Sequence, residues 1–267
     1  MIDGGVVDKA DVVRIVRAER HGQIFYGKLG DKTVHLLRGG PFTGFEPSKK
    51  TLELSRCTLL SPVLPGKIVC VGMNYRAHVE EHGKEIPERP QLFFKPTSAL
   101  IGPGERIVLP PESKQVEHEA ELGVVIGKNT KRVSVERAMD HVLGFTCVND
   151  VTARDLQRED DRWGRAKGFD TFCPVGPCVA TGLDYGNLTV RCFIGTELRQ
   201  EANTSDMIWD VPTLVSYISQ AMTLYPGDLI ATGTPSGVGP ISNGDRVIVE
   251  IEGVGRLTNP VVSEKAK

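Results

Sequence analysis

The chain has no strong charge of either sign, no long apolar run and no metal-binding rhythm among its cysteines, and each absence removes a class of function. A formal net charge of -2 over 267 residues leaves no electrostatic footprint for nucleic acid or an anionic membrane surface. No apolar run approaches the roughly 18 residues that a bilayer-spanning helix requires. Asp3, Asp8, Lys9, Asp11 and Arg14 stand where a secretory leader would need an apolar core, so no such leader is expected. The six cysteines form no C-x-x-C pair and no zinc-ligand spacing. Several, such as Cys70 and Cys147, lie in apolar strand-like runs and read as small buried hydrophobes in a reducing compartment, with the cytoplasm expected. The glycine-rich loop Gly233–Gly239 lacks the Gly-Lys-Ser/Thr ending of a phosphate loop and the spacing of a dinucleotide fingerprint. Pro235 and Pro240 also oppose a helix start there. A backbone cradle beside Thr234 for a carboxylate or enolate oxygen is the reading that remains.

What is present reads as mainly β. Short strands are predicted at 12–17, 23–29 and 33–37, separated by Gly22 and Gly30-Asp31 as in a meander. Residues 41–50 read as turn-rich, and Ser61-Pro62 and Leu64-Pro65-Gly66 punctuate the chain before a new apolar strand. The expected organisation is a small β domain over residues 1–60 and a larger body over 61–267. In the body, strands are predicted at 67–72, 91–95, 106–109, 120–126, 142–148, 178–180, 189–194, 229–232 and 246–251. Helices are few, at 135–141, 152–159 and 211–221, with a turn or two ending at Gly83. Thr152 and Asp155 have the spacing of an N-cap with an acid three residues on.

Chemistry concentrates in a few acidic and basic residues. Glu119 and Glu121 sit in a run, Val116 to Ile126, that reads as one strand, where residues i and i+2 share a face. Two carboxylates side by side repel unless a cation lies between them, and hard oxygen donors suit Mg²⁺ or Mn²⁺. The same spacing also describes the wet face of an edge strand. Asp150 follows the predicted strand 142–148 and would complete a carboxylate triad, or would simply serve as a turn aspartate. His78 and Glu81 are i, i+3, so a helical turn brings imidazole and carboxylate together as a base pair or as a surface contact. Arg154 and Gln157 share a helix face by the same spacing.

Six stretches in order, Val71–His78, Leu92–Pro96, His118–Gly127, Gly144–Asp155, Ala166–Asp170 and Gly233–Gly239, together resemble the fumarylacetoacetate hydrolase family. The branch they resemble is the smaller bacterial one of acylpyruvases and 2-hydroxyhepta-2,4-diene-1,7-dioate isomerases. The resemblance implies a mainly β (α+β) catalytic domain of rolled, sandwiched mixed sheets, a small N-terminal β domain, and a homodimer. It implies Mg²⁺ or Mn²⁺ held by Glu119, Glu121 and Asp150, and a catalytic His78–Glu81 pair on a lid. It also implies Lys167 as a stabiliser of negative charge, and Lys95, Arg154, Gln157 and Thr234 lining the substrate pocket. One departure stands out: Asn74 and Tyr75 offer no fourth acidic metal contact.

The implied chemistry is enolate formation on a small 2-oxo or 2-hydroxy-dienoic acid. Hydrolytic C–C cleavage of an acylpyruvate-type diketo acid is the leading expectation. Isomerisation of the heptadienedioate and decarboxylation of oxaloacetate are alternatives on the same site, and a non-catalytic metal- or 2-oxo-acid-binding scaffold is the rival of another class.

Overall fold

The computed structural model describes residues 12–42, 44 and 46–264. The charged positions Asp3, Asp8, Lys9 and Asp11 lie outside the described residues. Strands dominate, as the pattern predicts. They form one twelve-stranded sheet, a five-stranded sheet and a small three-stranded one.

Ten strands of the large sheet run in the order Glu46–Glu53, Thr33–Arg38, Gln23–Leu29, Val13–Arg20, Cys173–Thr181, Val142–Asn149, Ala120–Ile126, Leu229–Ala231, Ile68–Gly72, Gln91–Lys95, and off this path Thr58–Leu60 pairs with Val13–Arg20 and Leu100–Ile101 with Cys173–Thr181. The meander predicted at the N-terminus joins the body edge to edge, with Val13 opposite Thr181 and Ile15 opposite Val179. Neighbours in this order are antiparallel except Leu229–Ala231 on Ile68–Gly72. Strand Ala120–Ile126 lies inside the sheet, and all seven of its residues are buried. Both of its faces are covered, which is why it reads as a continuous apolar run rather than an alternating one. Strand Arg246–Ile251, in the five-stranded sheet, does alternate: Val247, Val249 and Ile251 point inward. That sheet packs its apolar face on the centre of the large one, and one continuous core fills the space between.

Four expectations are corrected. The run from Val116 to Ile126 is two strands, because the chain leaves the three-stranded sheet after His118 and enters the large sheet at Ala120. Part of the turn-rich stretch at 41–50 is strand, since Glu46–Glu53 forms the polar edge of the large sheet. An edge strand with both faces wet carries no apolar alternation to read. The unforeseen edge strand Glu197–Asn203 likewise lacks apolar alternation, its one buried residue being the polar Gln200. Finally, Thr152 is not an N-cap: it pairs in a strand with Glu117, and the helix starts at Arg154.

Among the described residues, Cys57 is half-buried and the other five cysteines are buried and free. Burial pushes the thiols of Cys173, Cys178 and Cys192 up to about 12, so they are inert. No helix among the described residues is long and apolar enough to cross a membrane.

Candidate metal centre and its cavity

Glu119 lies in the one-residue gap between the two strands, Glu121 is the second residue of the inner strand, and Asp150 follows the end of its neighbour, Val142–Asn149. The register explains why they meet. Ala120 pairs with Asn149, and the backbone closes the corner through Asp150 N–H to the Glu119 carbonyl at 2.9 Å. Asn149 adds its side chain, which accepts from Glu119 N–H at 3.0 Å. One oxygen from each of the three carboxylates lies within 4.8 Å of the other two, and all three residues are buried. The wet edge-strand alternative therefore falls, because the strand is interior and the acids face inward.

Cations surround this floor. Lys167 Nζ donates to Glu119 Oε2 at 2.8 Å and to Asp150 Oδ2 at 2.6 Å. Lys95 Nζ donates to Asp150 Oδ1 at 2.6 Å and to the Val151 carbonyl at 3.0 Å. The guanidinium of Arg154 donates to Glu119 Oε1 at 2.5 Å, Glu117 Oε2 at 2.7 Å and Gln157 Oε1 at 2.5 Å. The Thr152 hydroxyl lies 3.1 Å from Glu119 Oε1. Burial opposes ionisation of Glu119, but Lys167 and Arg154 hold its carboxyl well below the usual range. Glu121 goes the other way: burial, then the charges of Asp150 and Glu119, push it well above its ordinary value. No cationic side chain among the described residues pairs with Glu121; it accepts from Gly233 N–H at 2.8 Å. A buried carboxyl raised by its acidic neighbours, in a set of hard oxygen donors, fits Mg²⁺ or Mn²⁺.

Above the floor opens a cavity of about 340 Å³. His78, Glu119, Glu121, Asp150, Arg154, Gln157, Lys167 and Thr234 all line it. Lys95 and Glu81 do not line it and stand one layer behind, on Asp150 and His78. His78 Nδ1 lies 3.1 Å from Glu81 Oε2, and Glu81 Oε1 accepts from Gly237 N–H at 3.0 Å. The carboxylate can only accept, so Nδ1 carries the proton and Nε2 of neutral His78 is an acceptor. Burial lowers the His78 pKa, opposed by the charge of Glu119 and assisted by His82, which keeps the imidazole neutral near pH 7.

The glycine-rich loop serves the protein's own acids, since its Gly233 and Gly237 amides bind Glu121 and Glu81. Gly233 sits at φ +102, and a Cβ there would lie 2.7 Å from that of Asn74. The Asn74 side chain donates to the carbonyls of Trp209 and Thr232 at 3.0 and 2.7 Å and accepts from Trp209 N–H, so it ties the loop down. The Thr234 hydroxyl donates to the Ala120 carbonyl at 3.0 Å and accepts from Gln200 Nε2 at 2.8 Å.

Sequence reasoning missed Glu117, the second anion on Arg154, and the cavity's aromatic wall. Phe93 and Trp163 meet edge to face at 5.2 Å, and Lys167 Nζ lies 5.0 Å over the Phe93 ring. It also missed His82, Lys84 and Arg158 among the lining residues. The signal for the last two was faint: isolated cations in polar stretches normally read as solvated surface.

The family model described as fumarylacetoacetate (FAA) hydrolase C-terminal matches residues 67–262. The chain belongs to the fumarylacetoacetate hydrolase family. A second model, Rv2993c-like N-terminal, matches residues 13–62. The bovine mitochondrial oxaloacetate tautomerase FAHD2B is 46% identical over 224 residues, covering 79% of this chain and 71% of that protein. A 2-hydroxyhepta-2,4-diene-1,7-dioate isomerase from Mycobacterium marinum superposes with a TM-score of 0.89 at 42% identity, covering 95% of this chain and all of that one. The maleylpyruvate hydrolase of Sphingobium sp. SYK-6, solved with manganese(II) and pyruvate, superposes at 0.79 with 32% identity, covering 94% of this chain and all of that one. The family and the fold thus stand as the six stretches implied, and family members are enzymes, with isomerase, hydrolase and tautomerase activities among them.

Proposed function

We propose that this protein is a Mg²⁺- or Mn²⁺-dependent enzyme that forms an enolate from a small 2-oxo acid. The observation that carries the reading is the placement of His78 and three clustered carboxylates on the walls of one small cavity. Charge supports it. Around the floor the buried carboxyl groups of Glu117, Glu119, Glu121 and Asp150 outnumber the buried cations Lys95, Arg154 and Lys167 by one. A divalent ion held by Glu119, Glu121 and Asp150 would keep all four ionised and leave one net positive charge, which a single substrate carboxylate neutralises. Such an ion, when bound, acts as a Lewis acid on the carbonyl oxygen of the substrate.

The chain's own residues supply the rest. Neutral His78, with Nδ1 held by Glu81, presents Nε2 to the cavity as a base. Glu81 stabilises the imidazolium that forms on proton uptake and is itself held by the Gly237 amide. The Lys167 ammonium donates to Glu119 and Asp150 and has one N–H left for an oxygen that gains negative charge. Phe93 and Trp163 shield the carbon skeleton from water.

Proton transfer without water attack, as a keto–enol or double-bond isomerisation, is the reaction we put first. The isomerase and tautomerase relatives share 42 and 46% of their aligned residues with this chain, against 32% for the hydrolase. The second reading is hydrolytic C–C cleavage of an acylpyruvate-type diketo acid. It is favoured by His78 lining a cavity with room for water as well as substrate. The test is hydron exchange at C3 of oxaloacetate, followed by NMR in D₂O with Mg²⁺ and then with a chelator. Metal-dependent exchange that His78→Ala abolishes is expected. Absence of exchange, of heptadienedioate isomerisation and of acylpyruvate cleavage would overturn the reading.

A further inference from the structure

The cavity has two chemically distinct ends, and its outer one is unaccounted for by enolate formation. The floor residues are buried, whereas Lys84 and Arg158, which line the same cavity, are exposed and so mark its mouth. Val71, Met73, Phe93 and Trp163 line the cavity too and offer carbon surface to a ligand.

The inner arginine is already engaged: three N–H groups of Arg154 go to Glu117, Glu119 and Gln157. Breaking the Glu119 contact to receive a substrate would strip a cation from a buried carboxylate. At the mouth the situation is reversed. No acidic side chain among the described residues forms an ion pair with Lys84. Arg158 spends Nη1 on the Gln115 side-chain oxygen at 3.1 Å and pairs with no carboxylate among the described residues. The Gln157 oxygen is taken by Arg154, which leaves its amide N–H groups as donors in the cavity wall. Two cations with unused donors, beside an amide with unused donors, face a solvent-accessible ligand end.

We propose that Lys84 and Arg158 form a carboxylate subsite at the cavity mouth that selects 2-oxo diacids over 2-oxo monoacids. The inference rests on the floor binding the 2-oxo acid end, as proposed above. It adds that the distal group is an anion separated from the oxo acid by a short carbon chain. A charged hydrogen bond of this kind contributes about 1.5–3 kcal/mol, which corresponds to about a 10- to 100-fold preference in affinity. Partial exposure places the effect toward the lower end and makes it sensitive to salt.

The experiment is calorimetric titration of the Mg²⁺-loaded protein with 2-oxoglutarate and with 2-oxopentanoate. The two share the oxo acid end and chain length and differ only in a terminal carboxylate. The wild type is expected to bind the diacid at least tenfold more tightly. In the Lys84→Gln/Arg158→Gln double variant, the ratio of the two affinities is expected to fall to within about twofold of one. Lys84→Arg should retain most of the preference. Measurable binding of both acids with no preference in the wild type, or a preference that survives in the double variant, overturns the subsite alone. Failure of the wild type to bind either acid overturns the floor reading and the subsite with it.

Discussion

Replacing Lys95 by methionine separates two accounts of this residue. In the family resemblance it lines the substrate pocket; in the structure it is 2% exposed and lies beneath Asp150, off the cavity wall. Its ammonium makes a buried ion pair of 2.6 Å with Asp150 and a 3.0 Å hydrogen bond to the Val151 carbonyl. Methionine nearly matches the volume, so the change removes charge rather than packing. The floor then holds four carboxylates against two cations. Removing one partner of a buried pair costs about 3–5 kcal/mol, because the other charge stays desolvated and uncompensated. At about 2 °C per kcal/mol for a chain of this size, the midpoint of thermal unfolding should fall by roughly 6–10 °C in chelator. The assay is a thermal melt monitored by circular dichroism, with substrate turnover measured well below the transition. A midpoint within about 2 °C of wild type, together with a raised KM, would refute the buried-support account and restore Lys95 to substrate contact.

Glu121→Gln should leave the metal-free protein as stable as wild type or more so at pH 8, because Glu121 is pushed up by burial, Asp150 and Glu119. A raised folded-state pKa means stability present at low pH and lost as pH rises through it; melts in chelator across pH 5–8 should show that slope in wild type and little of it in the variant. The same variant should lose most of the Mn²⁺-induced rise in melting temperature, and an undiminished rise would remove Glu121 from the ligand set. The depressed pKa of His78 predicts hydron exchange that keeps its plateau as pH drops through 6.5 and falls only at lower pH; a fall centred above 6.5 would contradict the buried neutral base. Gly233→Ala forces a β-carbon to 2.7 Å from that of Asn74 at a left-handed φ, a strain of about 1–3 kcal/mol, and should lower the melting midpoint by a few degrees. An unchanged midpoint would show that the loop can move.

Residue chemistry at short spacing is legible in the chain itself. Helical periodicity puts His78 three residues from Glu81 and Arg154 three from Gln157, and both pairs meet through their side chains at 3.1 and 2.5 Å. The interior strand at 120–126 is visible as an apolar run, and the six ordered stretches imply the family and its mainly β fold. These features are local, or carried by the order of motifs, so the one-dimensional chain contains them.

What lies one layer behind a side chain is set by register and sheet crossing, and no local pattern encodes it. The break at Glu119 arises because two sheets claim the chain on either side of it. Gly237 reaches Glu81 across 156 positions, and Lys95 reaches Asp150 across 55. By itself the sequence determined that two glutamates and an aspartate suited a hard cation. Only the tertiary structure decided that they are buried on one floor with Lys167 and Arg154, because burial turns a tolerable surface charge cluster into one that needs compensation.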